Sequence, residues 1–598
     1  MDYALLYDKI YACWLGKRIG GALGAPAQSE SEVLDPADYS VSDTPDLTGQ
    51  AMQLLNLHVL ETYGTGLTAE QIADEWSEHC FSPRNEYGHA TTALRLGFKP
   101  PYAGMFDNHF VDCMGAAIRA EIWAVVAAGN PRMAACLARQ DALVDHAGGE
   151  GLYAAAFIAA LEAAAFELTD LPILIREALT CIPADSRVHG AVSLLLERYE
   201  QGADLTDARE AVTSAYGKIN LADAPQNIAF TLAGLLWGKD LEDAILKTVS
   251  LGRATAATAA TCGALWGILY GREGIPEKLV TLAGTALSVS DEIRGFRIPA
   301  DLDELTRRCI SLNAKLAYED TEAYIAVRQD EDMTVQRFTL PAGAKPSEAF
   351  CVDIRYEDDD PTVAPERPQT LKITLTNNTD WLWTIEARME CPYGLAPDVP
   401  AQILIAPGES VLYCPTVKAD TNAYYSVPVD RVYPAVLAIK RLNCGDRWKI
   451  YRLPITLLAP NRWTLNGKTT LVAGSTVSFT QPSADGVYVA EATLCTPPVT
   501  RETRMICNCI WPTTVELDGD VIIQTEGRST FLPAYHRVPE NQHRDGILQR
   551  GFHRLKVTVR IPEEARGALP TFVVSFNATA RVTEPGNYYA YTDVHFAR

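Results

Sequence analysis

The character of the sequence changes near residue 315, and this change limits the chain to a multidomain fold. Before it, residues 151–168 (GLYAAAFIAALEAAAFEL) are rich in alanine, poor in β-branched residues and apolar over a wide helical face. Similar helical patterns cover residues 50–64, 114–129, 130–148 and 255–271. Gly64, Gly129 and Gly271 fit helix C-termini. Because no strand pattern alternates with these helices, the first half is predicted to be an all-α domain.

Beyond the change, short β-rich runs alternate with turn residues, a spacing that favours β-sandwiches. Residues 316–345 mix charge, proline and glycine and are predicted to be a linker. Residues 346–459 resemble an immunoglobulin-like β-sandwich. Residues 460–598 resemble a galactose-binding-like jelly roll, on the segments VELDGDVIIQ and LQRGFHRLKVTVRIP. Within the first segment, LDGD at 517–520 predicts a hairpin.

Charge and composition exclude some classes of partner. Acidic residues outnumber basic ones by 75 to 52, and the formal net charge is −23. A chain this acidic repels phosphate backbones, so no nucleic-acid partner is expected. No apolar run approaches the roughly 18 residues of a membrane span, and the N-terminus lacks the pattern of a secretory signal. No membrane partner is therefore expected.

The 14 cysteines are scattered and form no CxxC pair. Cys507 and Cys509 would share one face of a strand, but a zinc site there would need two further ligands. Buried free thiols in a reducing compartment are the favoured interpretation. The expected location of the protein is therefore cytoplasmic.

Seven blocks, in order and with matching spacing, resemble ADP-ribosylglycohydrolases, especially a bacterial subgroup that carries C-terminal β domains. They are residues 10–26, 52–64, 86–101, 107–129, 141–166, 223–245 and 271–278. The resemblance identifies residues 1–315 as an all-α ADP-ribosylglycohydrolase-like domain. It implies a central cleft in which two Mg²⁺ or Mn²⁺ ions promote removal of ADP-ribose or cleavage of a related glycosidic bond. Such hard ions need several carboxylate ligands.

The first acidic cluster of the family, Asp-Asp-x-Asp, is missing from this chain. The MQLL segment at 52–55 fixes the register. The positions of the cluster are then occupied by Thr48, Gly49, Gln50 and Ala51. An alternative is that Asp43 and Asp46 are the cluster displaced by an insertion, although Pro45 lies within that run.

The second acidic cluster of the family, Asp-Thr-Asp, is also missing. Flanking glycine and alanine residues place Ala254, Thr255 and Ala256 at its positions, and residues 251–263 contain no acid. The family commonly has a glutamate two positions after GALGAP, where this chain has Gln28. Carboxylates from one side alone cannot hold two divalent ions. The sequence therefore predicts no metal cofactor and loss of dinuclear-metal-dependent hydrolysis of ADP-ribosyl bonds.

Other positions of the family's cleft are retained, and they suggest a pocket for an ADP-ribose-like or sugar ligand. The resemblance implies that the loop before Met114 lies near ligand phosphates and that His146 lies on the ribose and adenine side. For each residue alone, helix packing explains its presence equally well. The candidate ligand-binding residues are Gln28, Gln50, Asn108, Met114, Gly115, Arg119, Asp141, His146 and Asn227.

Two other functions stay open at this point, so the sequence leaves enzymatic activity undecided. One is a metal-independent glycoside hydrolase, which needs two carboxylates about 5–10 Å apart. Its candidate side chains are Glu86, Asp107, Asp112, Asp141, Asp145, His146 and Glu150. Arg253 could supply the charge of a lost metal, although an exposed residue at a helix start is the favoured interpretation. The other function is a non-catalytic scaffold or interaction protein.

Aromatic residues in the β half give two further expectations. Trp381 and Trp383 would lie on one strand face, in core or interdomain packing rather than as a sugar platform. The C-terminal segment NYYAYTDVHFAR at 587–598 is expected to dock against a neighbouring domain or a second copy of the chain. A homodimer is compatible with this, and the β domains are predicted to pack closely against the α domain.

Overall fold

The chain divides into two compact units in the computed structural model. The first unit comprises Met1–Ser82 and Ala103–Gln329, and the second comprises Pro83–Tyr102 and Asp330–Arg598. Most helices lie in the first unit, and the described strands lie in the second. The structure describes residues 2–27, 48–82, 85–218, 220–287, 289, 292–329, 350–357, 361–392, 394–419, 432–442, 450–496, 502–527, 540–579, 588–589 and 594–596.

The α-helices account for nearly all regular structure before residue 330, which confirms the predicted all-α domain. None of the described helices combines the length and apolarity that spanning a bilayer would require. The helices are α1 (Tyr3–Gly24), α2 (Thr48–Tyr63), α3 (Ala69–His79), α4 (Asn85–Arg95), α5 (Tyr102–Met105), α6 (Glu121–Val126), α7 (Pro131–Ala142), α8 (Glu150–Ala164), α9 (Leu171–Leu179), α10 (Arg187–Glu200), α11 (Leu205–Tyr216), α12 (Ala224–Trp237), α13 (Leu241–Ser250), α14 (Thr255–Tyr270), α15 (Glu277–Ala283), α16 (Leu302–Leu316) and α17 (Thr321–Gln329).

Local sequence signals explain several of these helix ends. The Asn130 side chain accepts a hydrogen bond from the Met133 N–H at 3.1 Å, and Pro131 occupies the first turn of α7. Thr68 and Gln71 form a reciprocal capping box at the start of α3. Gly64, Gly129 and Gly271, the three predicted stops, have φ values of 77°, 80° and 64°, which glycine adopts without strain.

The prediction of one helix over residues 114–129 was wrong. A 3₁₀ turn at Ala117–Arg119 and the short helix α6 occupy this stretch. The Ile118 carbonyl accepts hydrogen bonds from the side chains of Lys17 and Gln53, at 2.7 and 3.3 Å. Side chains from α1 and α2 therefore compete for a carbonyl group that a continuous helix would use internally. The next predicted helix, 130–148, ends as α7 at Ala142.

Helices α1 and α14 pack with their backbones in direct contact along a line of glycines. A Cβ atom added to Gly16, Gly20 or Gly24 would lie 2.0, 1.9 or 2.3 Å from a carbonyl oxygen of α14. These glycines are four residues apart, so they lie on one face of α1. The Thr255 hydroxyl also donates to the Gly24 carbonyl at 2.7 Å. The seam brings the first turn of α14 beside the C-terminal end of α1.

The strands of the second unit pair in antiparallel fashion. They are β1 (Phe350–Tyr356), β2 (Gln369–Asn377), β3 (Trp383–Glu390), β4 (Leu395–Pro397), β5 (Ala401–Ile405), β6 (Ser410–Tyr413), β7 (Thr416–Ala419), β8 (Val432–Arg441), β9 (Ile450–Leu458), β10 (Asn461–Leu465), β11 (Lys468–Val472), β12 (Thr476–Ser478), β13 (Val487–Thr496), β14 (Glu502–Cys509), β15 (Thr513–Leu517), β16 (Asp520–Thr525), β17 (His543–Ile547), β18 (Gly551–Arg560), β19 (Thr571–Thr579), β20 (Tyr588–Tyr589) and β21 (His595–Phe596).

Four sheets arise from these strands. The order β1-β2-β7-β4, with β6 on β2, forms one sheet, and β5-β3-β8-β9 forms another. The rings of Phe350 and Trp383 stack between these two sheets at 4.8 Å. The other two sheets are β11-β10-β13-β18-β15-β16, with β21 on β13, and β12-β19-β14-β17, with β20 on β19. They share an apolar core in which Trp463 contacts Phe572, so antiparallel β domains follow the helical domain, as predicted.

The predicted hairpin at 517–520 is present between β15 and β16. Asp518 and Gly519 have φ values of 54° and 97°, as a tight turn between antiparallel strands requires. Phe596 of the C-terminal segment packs into the core of its own domain, 5.2 Å from the Trp463 ring, rather than against a neighbouring domain or a second copy. Residues 590–593 of that segment lie outside the described residues, and the homodimer remains a prediction.

The expectation that Trp381 and Trp383 share a strand face was wrong. Trp381 precedes β3 in a bend and is 71% exposed, whereas Trp383 is 2% exposed. The Asn377 side chain donates to the Trp381 carbonyl at 2.7 Å and holds this bend. Cys507 and Cys509 are buried free thiols, as favoured from the sequence. Burial raises the pKa of both thiols, which disfavours the thiolate that a zinc ligand must be.

Candidate functional site

A pocket of about 760 Å³, part of it open to solvent, lies where five helices of the first unit meet. It is bounded by α1, the first turns of α2 and α14, and the segment around α6, with α16 at one side. The residues that line it are Trp14, Lys17, Arg18, Gly21, Gly49, Gln50, Gln53, Leu54, Ile118, Ile122, Ala256, Ala257, Ala260 and Leu305. The described lining thus contains two cationic side chains, two amides and no carboxylate.

Both segments where the family's acidic clusters were expected contribute to this pocket. Gly49 and Gln50 of the first cluster and Ala256 of the second line it, although about 200 residues separate them in the chain. Ala51 and Ala254 are buried beside them, with 0% and 2% exposure. The alternative cluster at Asp43 and Asp46 lies outside the described residues.

Asn227 of α12 fixes the backbone at Ala254, where the second acidic cluster was expected. Its side-chain oxygen accepts a hydrogen bond from the Ala254 N–H at 3.2 Å, and its amide group donates to the carbonyls of Leu221 and Asp223 at 2.8 Å each. Asn227 is fully buried. The residue therefore positions the start of α14 and does not itself line the pocket.

Lys17 supplies a buried positive charge at the floor of the pocket. Its ammonium group donates to the Ile118 carbonyl at 2.7 Å and to the Glu121 carboxylate. The Gln53 amide donates to the other oxygen of that carboxylate at 2.9 Å. Burial raises the pKa of Glu121, and the charge of Lys17 opposes the rise. Lys17 and Glu121 thus form a buried ion pair, and Lys17 also lines the pocket.

Glu162 of α8 is a second buried acid near this ion pair. It has 0% exposure, and neither carboxylate oxygen has a hydrogen-bond partner among the described residues. Burial and the negative charge of Glu121 hold the pKa of Glu162 well above its ordinary value. One ammonium group cannot neutralise two acids, so burial beside Glu121 favours the protonated form of the Glu162 carboxyl group.

Arg18 provides the second positive charge of the pocket. Its guanidinium donates to the carbonyls of Ala283 and Gly284, at 2.9 and 3.2 Å, and to Gln50 Oε1 at 3.4 Å. Within the described part of the chain, its partners are therefore neutral oxygens. Burial lowers the pKa of the guanidinium, which is nevertheless charged at neutral pH.

Three of the sequence-predicted ligand residues form a closed cluster beneath the surface. Arg119 donates to Asp141 at 2.8 Å and to both oxygens of Asp145 at 2.8 and 2.9 Å. His146 Nδ1 lies 2.7 Å from Asp145 Oδ1. Burial opposes ionisation of Asp145, but Arg119 and His146 hold its pKa below the ordinary value. All four side chains have about 0% exposure, and none lines the pocket.

Among the other predicted ligand residues that the structure describes, only Gln50 lines the pocket. Asn108 is buried and donates to the carbonyls of Gly104 and Asp145, at 2.8 and 2.7 Å. Met114 is buried in the core, as is its neighbour Gly115. Gln28 lies outside the described residues. The ligand roles of these residues stay predictions, and the described geometry gives most of them a packing role.

The carboxylates considered for a metal-independent hydrolase have structural partners instead. Both oxygens of Glu150 accept from the N–H groups of Arg187 and Val188 at 2.9 Å, which caps α10. Asp112 accepts from Lys218 at 2.7 Å. Arg253, expected to be exposed, is partly buried with φ of 72° beside Arg209, because the chain turns sharply there into α14.

Sequence reasoning missed Trp14, Lys17, Arg18 and Gln53, which shape the pocket. The first three lie within the block at 10–26 that carries the resemblance, so their position in α1 was available. Their direction was not, because it depends on how α1 packs against α2 and α14. The family's two divalent ions do not fit the described lining, since its donors are cations and amides rather than carboxylates.

The family model for ADP-ribosylglycohydrolase matches residues 2–312 of this chain. That span covers the helical domain with its pocket and more than half of the chain. The chain therefore belongs to the ADP-ribosylglycohydrolase family. No curated protein matches it.

Solved structures give weaker likenesses. A structure titled as an ADP-ribosylglycohydrolase-related protein complex is 21% identical, covers 52% of this chain and 99% of its own, and has a TM-score of 0.36. An α-L-rhamnosidase from Aspergillus terreus is 13% identical over 40% of this chain and 28% of its own, with a TM-score of 0.15. An α-L-rhamnosidase from Streptomyces avermitilis, complexed with L-rhamnose, is 9% identical over 41% and 25%, with a TM-score of 0.14.

Proposed function

We propose that this protein is a member of the ADP-ribosylglycohydrolase family that binds an anionic, ADP-ribose-like ligand in its cleft without a pair of divalent metal ions, and that does not hydrolyse ADP-ribosyl bonds by the metal-dependent route. One observation carries the proposal. The described pocket lining, which includes Gly49, Gln50 and Ala256, contains Lys17 and Arg18 and no carboxylate.

Electrostatics supports an anion in this pocket and opposes a cation. Two adjacent divalent ions carry about four positive charges and are stable only beside several carboxylates. Within the described residues, the Glu121 carboxylate that contacts the lining already pairs with Lys17 and accepts from Gln53. A metal ion would add charge next to a fixed ammonium and a fixed guanidinium, and these would repel it.

Arg18 is the best candidate for direct contact with the ligand. Its described partners are two backbone carbonyls and the Gln50 amide, so its charge is not compensated by an acid. A guanidinium presents several N–H groups in one plane and matches the oxygens of a phosphate. The first turns of α2 and α14 also reach the pocket, and helix N-termini favour negative charge.

The remaining lining suits the uncharged part of such a ligand. Trp14, Leu54, Ile118, Ile122 and Leu305 are apolar and large enough to contact a ring or sugar face. A metal-independent hydrolase is not favoured, because glycoside hydrolysis needs two carboxylates across the scissile bond and none lines the described pocket.

The test is binding of ADP-ribose to the purified full chain, measured by titration calorimetry in the presence of a chelator. We expect saturable binding of one equivalent that the chelator does not weaken. Arg18→Gln should weaken binding by more than about tenfold, since a charged hydrogen bond contributes about 1.5–3 kcal/mol. Arg176→Gln is the matched control, because Arg176 is an exposed arginine of α9 that pairs with Glu200.

Three results would overturn the proposal. The first is turnover of ADP-ribosyl substrates that Mg²⁺ or Mn²⁺ stimulates. The second is ADP-ribose binding that disappears in chelator. The third is an Arg18→Gln variant that binds ADP-ribose as tightly as the wild type. Failure of ADP-ribose to bind at all, or to shift thermal unfolding, would favour the non-catalytic scaffold.

A further inference from the structure

Two histidines and a glutamate lie close together, apart from the pocket, where α2 packs beside α3. His58 Nε2 lies 3.1 Å from Glu75 Oε2, and His79 Nε2 lies 3.3 Å from the same oxygen. Glu75 and His79 are four residues apart on α3 and therefore share a face. The three atoms that could bind an ion lie within 4.8 Å of one another. None of these residues lines the pocket.

The hydrogen bond at Nδ1 of the His79 ring fixes which ring nitrogen carries the proton. Nδ1 of His79 lies 2.9 Å from the Arg294 carbonyl, which can only accept, so Nδ1 carries the proton. In a neutral ring, Nε2 then presents a lone pair toward the Glu75 carboxylate. A lone pair and a carboxylate oxygen at 3.3 Å repel each other unless a cation or a proton lies between them. The arrangement thus calls for a positive charge at this point.

We propose that His58, Glu75 and His79 form a binding site for Zn²⁺, with solvent as the fourth ligand. Zinc bonds of about 2.0–2.1 Å to histidine nitrogen and carboxylate oxygen place neighbouring ligands of a tetrahedron about 3.3 Å apart. The two nitrogen-to-oxygen distances, 3.1 and 3.3 Å, match that separation. Two imidazoles favour zinc over the hard Mg²⁺ and Mn²⁺ of the family.

Surrounding contacts hold the ligands in place, as they do in zinc sites. The Tyr63 hydroxyl donates to Glu75 Oε1 at 2.9 Å, which leaves Oε2 free to bind the ion. The Arg294 N–H donates to the His79 carbonyl at 3.1 Å, so the backbone of α3 is tied to the same loop that holds the ring. The Phe296 ring lies 5.6 Å from each imidazole and restricts both.

The fourth coordination position is accessible. The side chain of His58 is 27% exposed, and those of Glu75 and His79 are 11% and 12% exposed. Three protein ligands with a solvent position are typical of zinc sites that bind or activate a small molecule, whereas structural sites usually have four protein ligands. The helix α3 begins at a capping box, and the loop that carries Arg294 pairs with Cys80 just after its end. These contacts hold both ends of α3 without requiring an ion.

The test uses the purified full chain after chelation and alkylation of its reachable thiols, such as the exposed Cys414. Titration with Zn²⁺ should give one equivalent of binding, and zinc should raise the Tm. Co²⁺ in its place should give the visible absorption bands of a four-coordinate site, without the near-ultraviolet band of thiolate ligation. Magnesium should not compete.

Four variants separate a metal site from simple packing. His58→Ala and Glu75→Gln should each weaken zinc binding by more than about tenfold, and Glu75→Gln keeps the size of the side chain. Tyr63→Phe should weaken binding by about tenfold through Glu75 alone. His189→Ala is the control, since His189 is a partly buried helix histidine whose ring contacts Ser193 at 3.3 Å. It should bind zinc as the wild type does.

The proposal fails if the wild type binds no stoichiometric zinc, if Co²⁺ reports thiolate ligands, or if His58→Ala and Glu75→Gln bind zinc as tightly as the wild type. Far-ultraviolet circular dichroism establishes that each variant is folded, and Glu75→Gln alone suffices if His58→Ala does not fold. The proposed zinc site shares no residue with the pocket. Arg18→Gln should therefore bind zinc as tightly as the wild type does.

Discussion

The ammonium group of Lys17 and the carboxylate of Glu121 form an ion pair in which the side chains are only 10% and 0% exposed. Removing one partner of such a pair leaves a buried charge without compensation. Lys17→Met is therefore expected to lower the free energy of unfolding by about 3–5 kcal/mol. Urea denaturation at pH 7 would measure this. The double variant Lys17→Met with Glu121→Gln should recover part of the loss, and a double variant less stable than Lys17→Met would contradict the pairing.

Two adjacent glycines of α1 should respond oppositely to the same substitution. In Gly20→Ala the new Cβ atom would lie 1.9 Å from the Ala259 carbonyl oxygen, so α1 and α14 must separate. In Gly21→Ala the nearest atom would be 3.9 Å away, an ordinary contact. We expect Gly20→Ala to destabilise the protein strongly, whereas Gly21→Ala gains up to about 1 kcal/mol of helix propensity. Thermal unfolding of both variants gives the comparison, and equal Tm values would contradict the close backbone contact.

The buried carboxyl group of Glu162 should make the free energy of unfolding depend on pH. Because burial and the charge of Glu121 raise its pKa in the folded protein, its contribution is fully present below the ordinary value of 4.5 and is lost as the pH rises through the folded pKa. Glu162→Gln imitates the protonated form. Relative to the wild type, the variant should gain up to about 1.4 kcal/mol per pH unit between the ordinary value of 4.5 and the folded pKa, and no more above the folded pKa. Denaturation series from pH 5 to 8 measure the difference.

Glu177→Gln, an exposed position on α9, is the control for Glu162 and should follow the wild type across this pH range. A Glu162→Gln variant whose stability runs parallel to the wild type at every pH would mean that Glu162 is not held protonated.

Restoring the acidic clusters tests whether their loss removed the metal site. In a variant with both clusters restored, buried aspartates should repel each other without metal, so the variant should be less stable than the wild type and Mn²⁺ should raise its Tm. Restoring one cluster alone should not produce the Mn²⁺ effect. A wild type that already binds two Mn²⁺ ions would mean that the cluster positions were misassigned. The substituted positions are Thr48, Gly49, Ala51, Ala254 and Ala256.

The sequence predicted those features that depend on local chemistry. Asn130 with Pro131 marked the start of α7, and LDGD at 517–520 marked the β15–β16 hairpin. The order of family blocks identified the helical domain as a whole. The helix start and the hairpin depend on residues that are close together in the chain, and the family resemblance depends on the order of motifs along it, so a single sequence contains the necessary information.

Features that depend on tertiary approach could not be predicted. The segment 114–129 reads as one helix, but Lys17 and Gln53 bind the Ile118 carbonyl from other helices and the segment is broken. The spacing of Glu75 and His79 is visible in the sequence, yet His58 joins them only because α2 packs beside α3. Arg119 resembled a ligand contact, whereas two aspartates of α7 and the turn after it enclose it completely.

The glycine seam between α1 and α14 holds the helices of the cleft together without using the residues at the expected metal positions. Gly16, Gly20 and Gly24 hold the helices through backbone contacts, and Thr255 adds a hydrogen bond to Gly24. None of these contacts uses the side chains of Gly49, Ala254 or Ala256. Substitutions at those three positions can therefore change what occupies the cleft without breaking the contacts that hold α1 and α14 together. A lineage could exchange metal chemistry for ligand recognition there by point mutations, without passing through an unfolded intermediate.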